Sequence, residues 1–483
     1  MPHPFLKRRD TAAGVRCNST APRLFYWHPM KPLACFALLF AGALFAPAAE
    51  RPNILFVLVD DAGYGDFGCH GHPFLKTPNI DRLHDESVRF TDFHVAPMCT
   101  PTRGQLLTGR DALRNAAASV TAGRAFIRPG IPTLPEKLGA AGYRTAMFGK
   151  WHLGDSYPHR PMDRGFQTAV WVKGWGFTSA PEFTNSLFDG RCYRGAAETR
   201  FRGYITDFCF DEAMGWMRER AAAHEPFFCY VPLHAAHAPH QVPAKYTALF
   251  KGQPAAPFFG MLANIDENMG RLEAFLRESG LRENTIVIFA TDNGGTAGVP
   301  VYNAGLRGHK TDYYDGGHRV PFFVRWPAAN LPARDVAWPA QAQDLFPTLL
   351  EVSGQPVEAG AFDGLSLATL LKGGPAPADR MFVVQYGASP PFPNDPAKDR
   401  ACVVWNQWRL VHDRALRRGD RPRPGARSRQ RAAGNRGEDA RFLRQLVGGD
   451  RAAARPVRHA HHRGGRREPG AAHELRLAGH LRR

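Results

Sequence analysis

Cysteine is sparse in this chain of 483 residues. The eight present, at positions 17, 35, 69, 99, 192, 209, 229 and 402, lack the dense regular spacing of a disulfide framework. An exported protein of this size has room for one or two bridges, but spacing does not pair them. Internal repeats are absent. So is an apolar run of the ~20 residues that a helix needs to cross a bilayer. The stretch Ala34–Ala46 falls short of that; it follows Met30 and Lys31 and ends in Ala46-Pro47-Ala48, the three-part pattern of a secretory signal. The pattern predicts an exported protein, periplasmic or secreted, with no stable membrane span, and Met30 as the working start.

A charge of one sign is missing from the body, although the formal net charge is +18. Residues 1–49 carry six Lys/Arg and one acid, and residues 414–483 carry twenty Arg and six acids; residues 50–413 therefore hold 36 basic and 37 acidic groups. The excess belongs to the ends, which argues against nucleic acid as a partner of the folded part. Residues 414–483 also lack Lys, Ile, Thr, Tyr, Trp and Met, and Leu, Ile, Val and Phe together number only nine. That is too little apolar surface to order a chain of this length. Two readings stay open: a basic, disordered tail, or an out-of-frame translation of an Arg-rich coding strand.

What is present between these ends is an alternation of strands and helices. Residues 51–61, RPNILFVLVDD, are a continuous apolar run ending in two carboxylates, the signature of a strand buried on both faces. Similar runs recur at Thr145–Phe148, Phe227–Pro232, Thr285–Thr291 and Val320–Trp326. Between Phe258 and Ser279, Leu262, Ile265, Met269, Leu272 and Leu276 recur at helical steps, while Glu267, Arg271 and Glu278 can face water. Thr133–Ala141 and Asp344–Ser353 are shorter helices, the second closing at Gly354. The order predicts an α/β fold with a large mixed, mostly parallel sheet sandwiched by helices. A smaller antiparallel subdomain over residues 376–413, with strands Met381–Tyr386, Ala401–Trp405 and Trp408–His412, reads as incomplete.

Polar sites in such sheets collect at the carboxyl ends of strands, where Asp60-Asp61 and Thr291-Asp292-Asn293-Gly294 both fall. Adjacent carboxylates are costly as anions without a cation, and Asp60, Asp61, Asp292 and Asn293 offer hard oxygen ligands for Ca²⁺ or Mg²⁺. Taken singly, each pair can equally cap a turn. Cys99-Thr100-Pro101-Thr102-Arg103 should open a helix, with Thr100 as N-cap and Pro101 at the first helical position, placing free N–H groups beside Cys99. Such an end attracts anions. Cys99 is either a small buried hydrophobe or part of a polar mouth. Lys150, His152, His234, His237, His240 and Lys310 are separate surface charges and loop histidines, or together a wrap for a tetrahedral anion.

Four motifs in order make the chain resemble a known family over residues 51–412. They are Cys-Thr-Pro-Thr-Arg with Leu-Leu-Thr-Gly-Arg, Gly142-Tyr143-Arg144-Thr145 leading to Gly149-Lys150-Trp151-His152, Asp60-Asp61, and Thr291-Asp292-Asn293-Gly294. The family is the type I sulfatases of the alkaline-phosphatase-like superfamily. Phe148 is bulkier than the small aliphatic residue usual before Gly-Lys. The resemblance implies a catalytic domain over residues 50–375 that hydrolyses sulfate monoesters. It implies that a separate maturation enzyme converts Cys99 into formylglycine, whose hydrate attacks sulfur and later eliminates sulfate. It further implies that Asp60, Asp61, Asp292 and Asn293, with residue 99, hold Ca²⁺ in preference to Mg²⁺. Arg103 and Lys150 would hold the diol and His152 would take a proton during elimination. His237, preceded by Ala236 where the family has Pro, would join Lys310 in binding sulfate, with His234 and His240 as pocket walls.

The substrate would be a small aryl or sugar sulfate. Specificity loops are expected at Asp155–Gly203 and Gly295–Arg307, where Trp171, Trp175 and Phe177 either stack on a substrate ring or pack a lid. Two other functions remain to be separated from this one. A phosphate or phosphonate monoester hydrolase on the same fold differs in little more than charge balance. A non-catalytic protein would use the basic tail on anionic glycans or membranes.

Overall fold

The computed structural model describes residues 51–120, 125–387, 401–411 and 414–417. The signal-like segment, the residues before it and the chain beyond residue 417 lie outside the described residues. Ten strands form the main sheet: β1 (Asn53–Val59), β2 (Val88–Phe90), β3 (Arg144–Lys150), β4 (Thr168–Val172), β5 (Arg191–Arg194), β6 (Ala197–Arg200), β7 (Phe227–Pro232), β8 (Thr285–Thr291), β9 (Phe322–Arg325) and β10 (Arg334–Val336). Their order across the sheet is β10-β2-β9-β8-β1-β7-β3-β4-β5-β6. The central run β8-β1-β7-β3-β4 is parallel, and antiparallel pairings flank it.

All seven residues of β1 are buried, because helices cover both faces of the sheet. Leu55, Val57 and Val59 enter one core, Ile54, Phe56 and Leu58 the other, as the two-residue period of a strand requires. The first core takes side chains from α1 (Pro78–Asp85), α4 (Ile205–Ala222) and α5 (Ala256–Glu278). The second is closed by α2 (Cys99–Thr108), α3 (Leu134–Ala140) and α6 (Leu345–Val352). The apolar stripe of α5 lies in the first core as its spacing requires, and Glu267, Arg271 and Glu278 are exposed.

Two expectations need correction. The run Val320–Trp326 is not one strand. Pro321, which has no N–H to give a ladder, separates Arg319–Val320, paired with Phe93–His94 in a small second sheet, from β9 in the main sheet. The C-terminal antiparallel sheet forms as expected from β11 (Met381–Gln385), β12 (Ala401–Trp405) and β13 (Trp408–Val411), but a fourth strand, β14 (Arg414–Arg417), follows them. The Arg-rich composition does not stop backbone pairing at residue 413, because ladder hydrogen bonds need only N–H and C=O groups. For Trp171, open between stacking on a substrate and packing, burial decides for packing. It is 1 % exposed, with Nε1 donating to the Gly195 carbonyl at 2.9 Å.

The six cysteines among the described residues, Cys69, Cys99, Cys192, Cys209, Cys229 and Cys402, are all free thiols. No helix among those residues is long and apolar enough to cross a membrane.

Candidate active site

The parallel strands bring their carboxyl ends to one edge, and the sequence changes from apolar to charged there. Asp60 and Asp61 follow β1, Asp292 and Asn293 follow β8, Lys150 ends β3, and His234 and His237 lie in the loop after β7. Asp60 is tied to that last loop through its backbone: its N–H donates to the Ala235 carbonyl at 3.0 Å, and its carbonyl accepts from the Ala236 N–H at 2.7 Å. Cys99 opens α2, one residue after the extended Met98. The helix thus begins earlier than a Thr100 cap would have it. Thr100 lies inside the first turn, and its hydroxyl donates to the His152 carbonyl at 3.1 Å. Pro101 still falls in the first turn, where a missing N–H costs nothing.

Arg103, one turn further, is fully buried and holds the site together. Nη2 donates to Asp60 Oδ2 at 2.9 Å and to Asp292 Oδ2 at 2.8 Å, Nε to Asp292 Oδ2 at 3.0 Å, and Nη1 to the Lys150 carbonyl at 2.7 Å. Lys150 Nζ pairs closely with Asp60 Oδ2. Asp61 accepts from Lys310 Nζ at 2.5 Å and from Asn293 Nδ2 at 3.0 Å, both on Oδ1. His237 Nε2 is 3.8 Å from its other oxygen. The Cys99 sulfur and carboxylate oxygens of Asp60 and Asp292 lie within 4.8 Å of one another.

These contacts set the charge states. Burial alone would raise Asp60, but Lys150, Arg103, His237 and Lys310 hold its carboxyl well below the usual range. Asp292 is pushed up to about 6 by burial and by the neighbouring Asp60 charge. Burial raises the Cys99 thiol against the pull of Lys150 and Lys310, and lowers His152, helped by Lys150 and Arg103. His237 is lowered by burial and Lys150. Burial opposes the Lys310 charge, yet Cys99, Asp61 and Asp60 outweigh it and raise the ammonium.

Two oxygens stand out from this satisfied network. Asp60 Oδ1 and Asn293 Oδ1 are buried and have no hydrogen-bond partner among the described residues. Buried oxygen lone pairs facing no donor are what a hard cation takes up. With Asp61 and Asp292 beside them, the donor set fits a divalent metal ion.

Every residue expected at the site from its sequence pattern therefore lies at this sheet edge, while the expected aromatic neighbours divide. Trp175 is half-buried with its ring 6.3 Å from that of His152, whereas Phe177 is buried against His234. His234 is itself buried, with neither ring nitrogen hydrogen-bonded, and its ring lies 5.6 Å from His237; His240 packs on Phe258. Sequence pattern misses Thr100 as the support of His152, since its spacing before Pro101 suggests only a cap. It also misses Arg103 as the partner of two carboxylates, because the three residues are far apart in the chain.

A family model described as Sulfatase matches residues 52–355. N-acetylgalactosamine-6-sulfatase of Sus scrofa is 32% identical over 369 residues, spanning 71% of this chain and 69% of its own. Arylsulfatase A of Homo sapiens is 33% identical over 389 residues, spanning 72% of this chain and 73% of its own. Among solved structures, Ps i-CgsB superposes with a TM-score of 0.71 over 84% of this chain and 93% of that one, at 24% identity, a likeness of fold. Family match, relatives and fold agree: the chain belongs to the sulfatases, as a formylglycine-dependent type I member of the alkaline-phosphatase-like superfamily that hydrolyses sulfate esters.

Proposed function

We propose that this sulfatase cleaves small aryl or sugar sulfates in an exported compartment, with residue 99 in its formylglycine form and Ca²⁺ as the ion. The observation that carries the reading is the Cys99 sulfur among the carboxylates of Asp60 and Asp292, beside two buried oxygens with no donor. Asp60, Asp61, Asp292 and Asn293 would hold the ion, an all-oxygen set suited to Ca²⁺, with residue 99 next to it. Once bound, the ion screens anionic charge and lowers the pKa of a neighbouring hydroxyl, and the modified residue 99 supplies that hydroxyl as nucleophile.

The chain's own side chains do the rest. Lys310 and His237, both beside Asp61, bind the sulfate oxygens, and His237 assists the leaving alcohol. Lys150 and Arg103 orient residue 99 from the Asp60 side. His152, kept neutral by burial, accepts a proton from residue 99 as sulfate departs. A maturation enzyme that recognises Cys-x-Pro-x-Arg is the partner this chemistry requires.

Peptide mass analysis of residue 99 after co-expression with such an enzyme should show loss of the thiol. Cys99→Ala should lower aryl sulfate turnover by at least about 10³-fold with an unchanged circular dichroism spectrum, the scale expected for removing a covalent nucleophile. Full activity in that variant would sink the proposal. Relative kcat/KM on a matched aryl sulfate and aryl phosphate should favour the sulfate; a preference for phosphate would move the protein to phosphomonoester hydrolysis.

A further inference from the structure

A second group of metal-competent side chains lies in the turn that follows the Asp60–Asp61 loop. The chain makes a short 3₁₀ turn over Gly68–His70 and ends it at Gly71, whose φ of 85° is the left-handed conformation that favours glycine. It then reverses into α1, which carries His84 back beside the turn. The two pieces are held in register by Asp81, whose Oδ1 accepts from the Cys69 N–H at 2.7 Å and from the Thr77 hydroxyl at 2.8 Å. Thr77 in turn accepts from the Gly68 N–H at 2.8 Å. As a result the Cys69 sulfur and one ring nitrogen from each of His70 and His84 lie within 4.8 Å of one another, all three residues half-buried.

Each imidazole has its Nδ1 in a hydrogen bond to an oxygen acceptor. His70 Nδ1 lies 2.6 Å from the Tyr64 carbonyl, and His84 Nδ1 lies 2.8 Å from Asp85 Oδ1. A carbonyl or an ionised carboxylate can only accept, so each Nδ1 carries the hydrogen and each Nε2 keeps its lone pair. Metal-bound histidines characteristically donate their second ring nitrogen to a carbonyl or carboxylate in this way, which fixes the tautomer. One thiol and two imidazoles form a three-ligand N/S set, suited to Zn²⁺. The donors are softer than the oxygens at the sheet edge, so the two places should select different ions.

We propose that Cys69, His70 and His84 form a second metal site that takes Zn²⁺ or a similar borderline-soft divalent ion and ties the 68–70 turn to α1. On binding, the Cys69 S–H bond breaks, its proton passes to solvent, and sulfur bonds the ion with no change in oxidation state.

The test uses the full-length protein with saturating Ca²⁺ present, so that the oxygen-rich centre does not compete. Co²⁺ added to the parent should give a thiolate-to-cobalt charge-transfer absorption that persists in Cys99→Ala and vanishes in Cys69→Ser. Equilibrium dialysis should find one Zn²⁺ bound by the parent and affinity lower by about tenfold or more in His84→Ala and His84→Gln. Aryl sulfate turnover should be retained in both His84 variants, which establishes that they are folded. A parent without the cobalt band, a band lost in Cys99→Ala and kept in Cys69→Ser, or unchanged Zn²⁺ affinity in the folded His84 variants would each overturn the proposal.

Discussion

Phe148, the residue that departs from the usual sulfatase pattern before Gly-Lys, is 1 % exposed. Its ring faces Trp216 of α4 at 6.2 Å. The larger side chain is thus accommodated on the core side of β3, away from the sheet edge where Lys150 emerges. The next residue has no such latitude. Gly149 has a φ of 138°, and a Cβ there would lie 2.0 Å from the Pro232 carbonyl oxygen of β7. Gly149→Ala should push β3 and β7 apart at the residue that precedes Lys150. We expect a loss of about 2 kcal/mol or more in urea unfolding, together with loss of turnover; a variant with parental stability would contradict this packing.

Asp66 gives a prediction of a different kind. Burial pushes its carboxyl up to about 7, against the pull of the Gly63 N–H, which donates to it at 2.7 Å. The native state therefore binds a proton that the unfolded chain has already released above about pH 4. The stability contributed by this group is full below about pH 4 and lost as pH rises to about 7, by up to about 4 kcal/mol. Asp66→Asn should flatten that part of the curve in denaturant titrations at several pH values. An unchanged slope would show that Asp66 ionises normally.

At the scale of elements, α5 and α2 illustrate when pattern suffices. The apolar stripe of α5 faces one core and Glu267, Arg271 and Glu278 face water, as periodicity places them, although the buried Asp266 accepts from the Asn79 and Ile80 N–H groups. All ten residues of α2 are buried, polar ones included, so no stripe distinguishes its sides and only its local sequence hints at where it starts. Its first turn is also tied across the fold by a long-range bond, from the Thr100 hydroxyl to the carbonyl of His152, a residue held at a φ of 55°. Thr100→Val keeps the side-chain shape and removes the donor. It should cost about 1 to 3 kcal/mol in thermal or urea unfolding and lower kcat more than it raises KM, because the His152 backbone loses its support. Equal kcat in the variant would show that His152 is positioned by other contacts.

For the whole molecule, the question is how the C-terminal sheet is joined to the body. Arg409 of β13 is 3 % exposed; its Nη2 donates to Asp92 Oδ1 at 2.6 Å and its Nε to Asp315 Oδ1 at 3.0 Å. Asp315 begins the turn whose Gly317 carbonyl accepts from the Gly294 N–H at 2.9 Å, directly after Asp292 and Asn293. The clamp thus leads from the small sheet to the candidate metal ligands. Arg409→Ala takes the cation from two largely buried carboxylates and should cost about 3 to 5 kcal/mol. Thermal unfolding together with limited proteolysis near residue 380 would register it; unaltered cleavage and midpoint would mean that apolar contacts alone hold the sheet.

The amino-acid sequence by itself determined the strand ends and the chemistry placed on them. Continuous apolar runs can be buried only between two layers, and Asp60-Asp61, Asp292-Asn293, Lys150 and Cys99 stand in local motifs whose spacing survives without the fold. Only the tertiary structure decided which charges neutralise one another, where α2 begins, and that pairing in the C-terminal sheet extends through Arg417. For the charges, the physical reason is separation along the chain. Arg103 meets Asp60 and Asp292 across 43 and 189 residues of chain, and Arg409 meets Asp92 across 317. Hydrogen bonds of that span leave no periodic or local trace in the sequence; they exist only once the hydrophobic layers have brought the strand ends together.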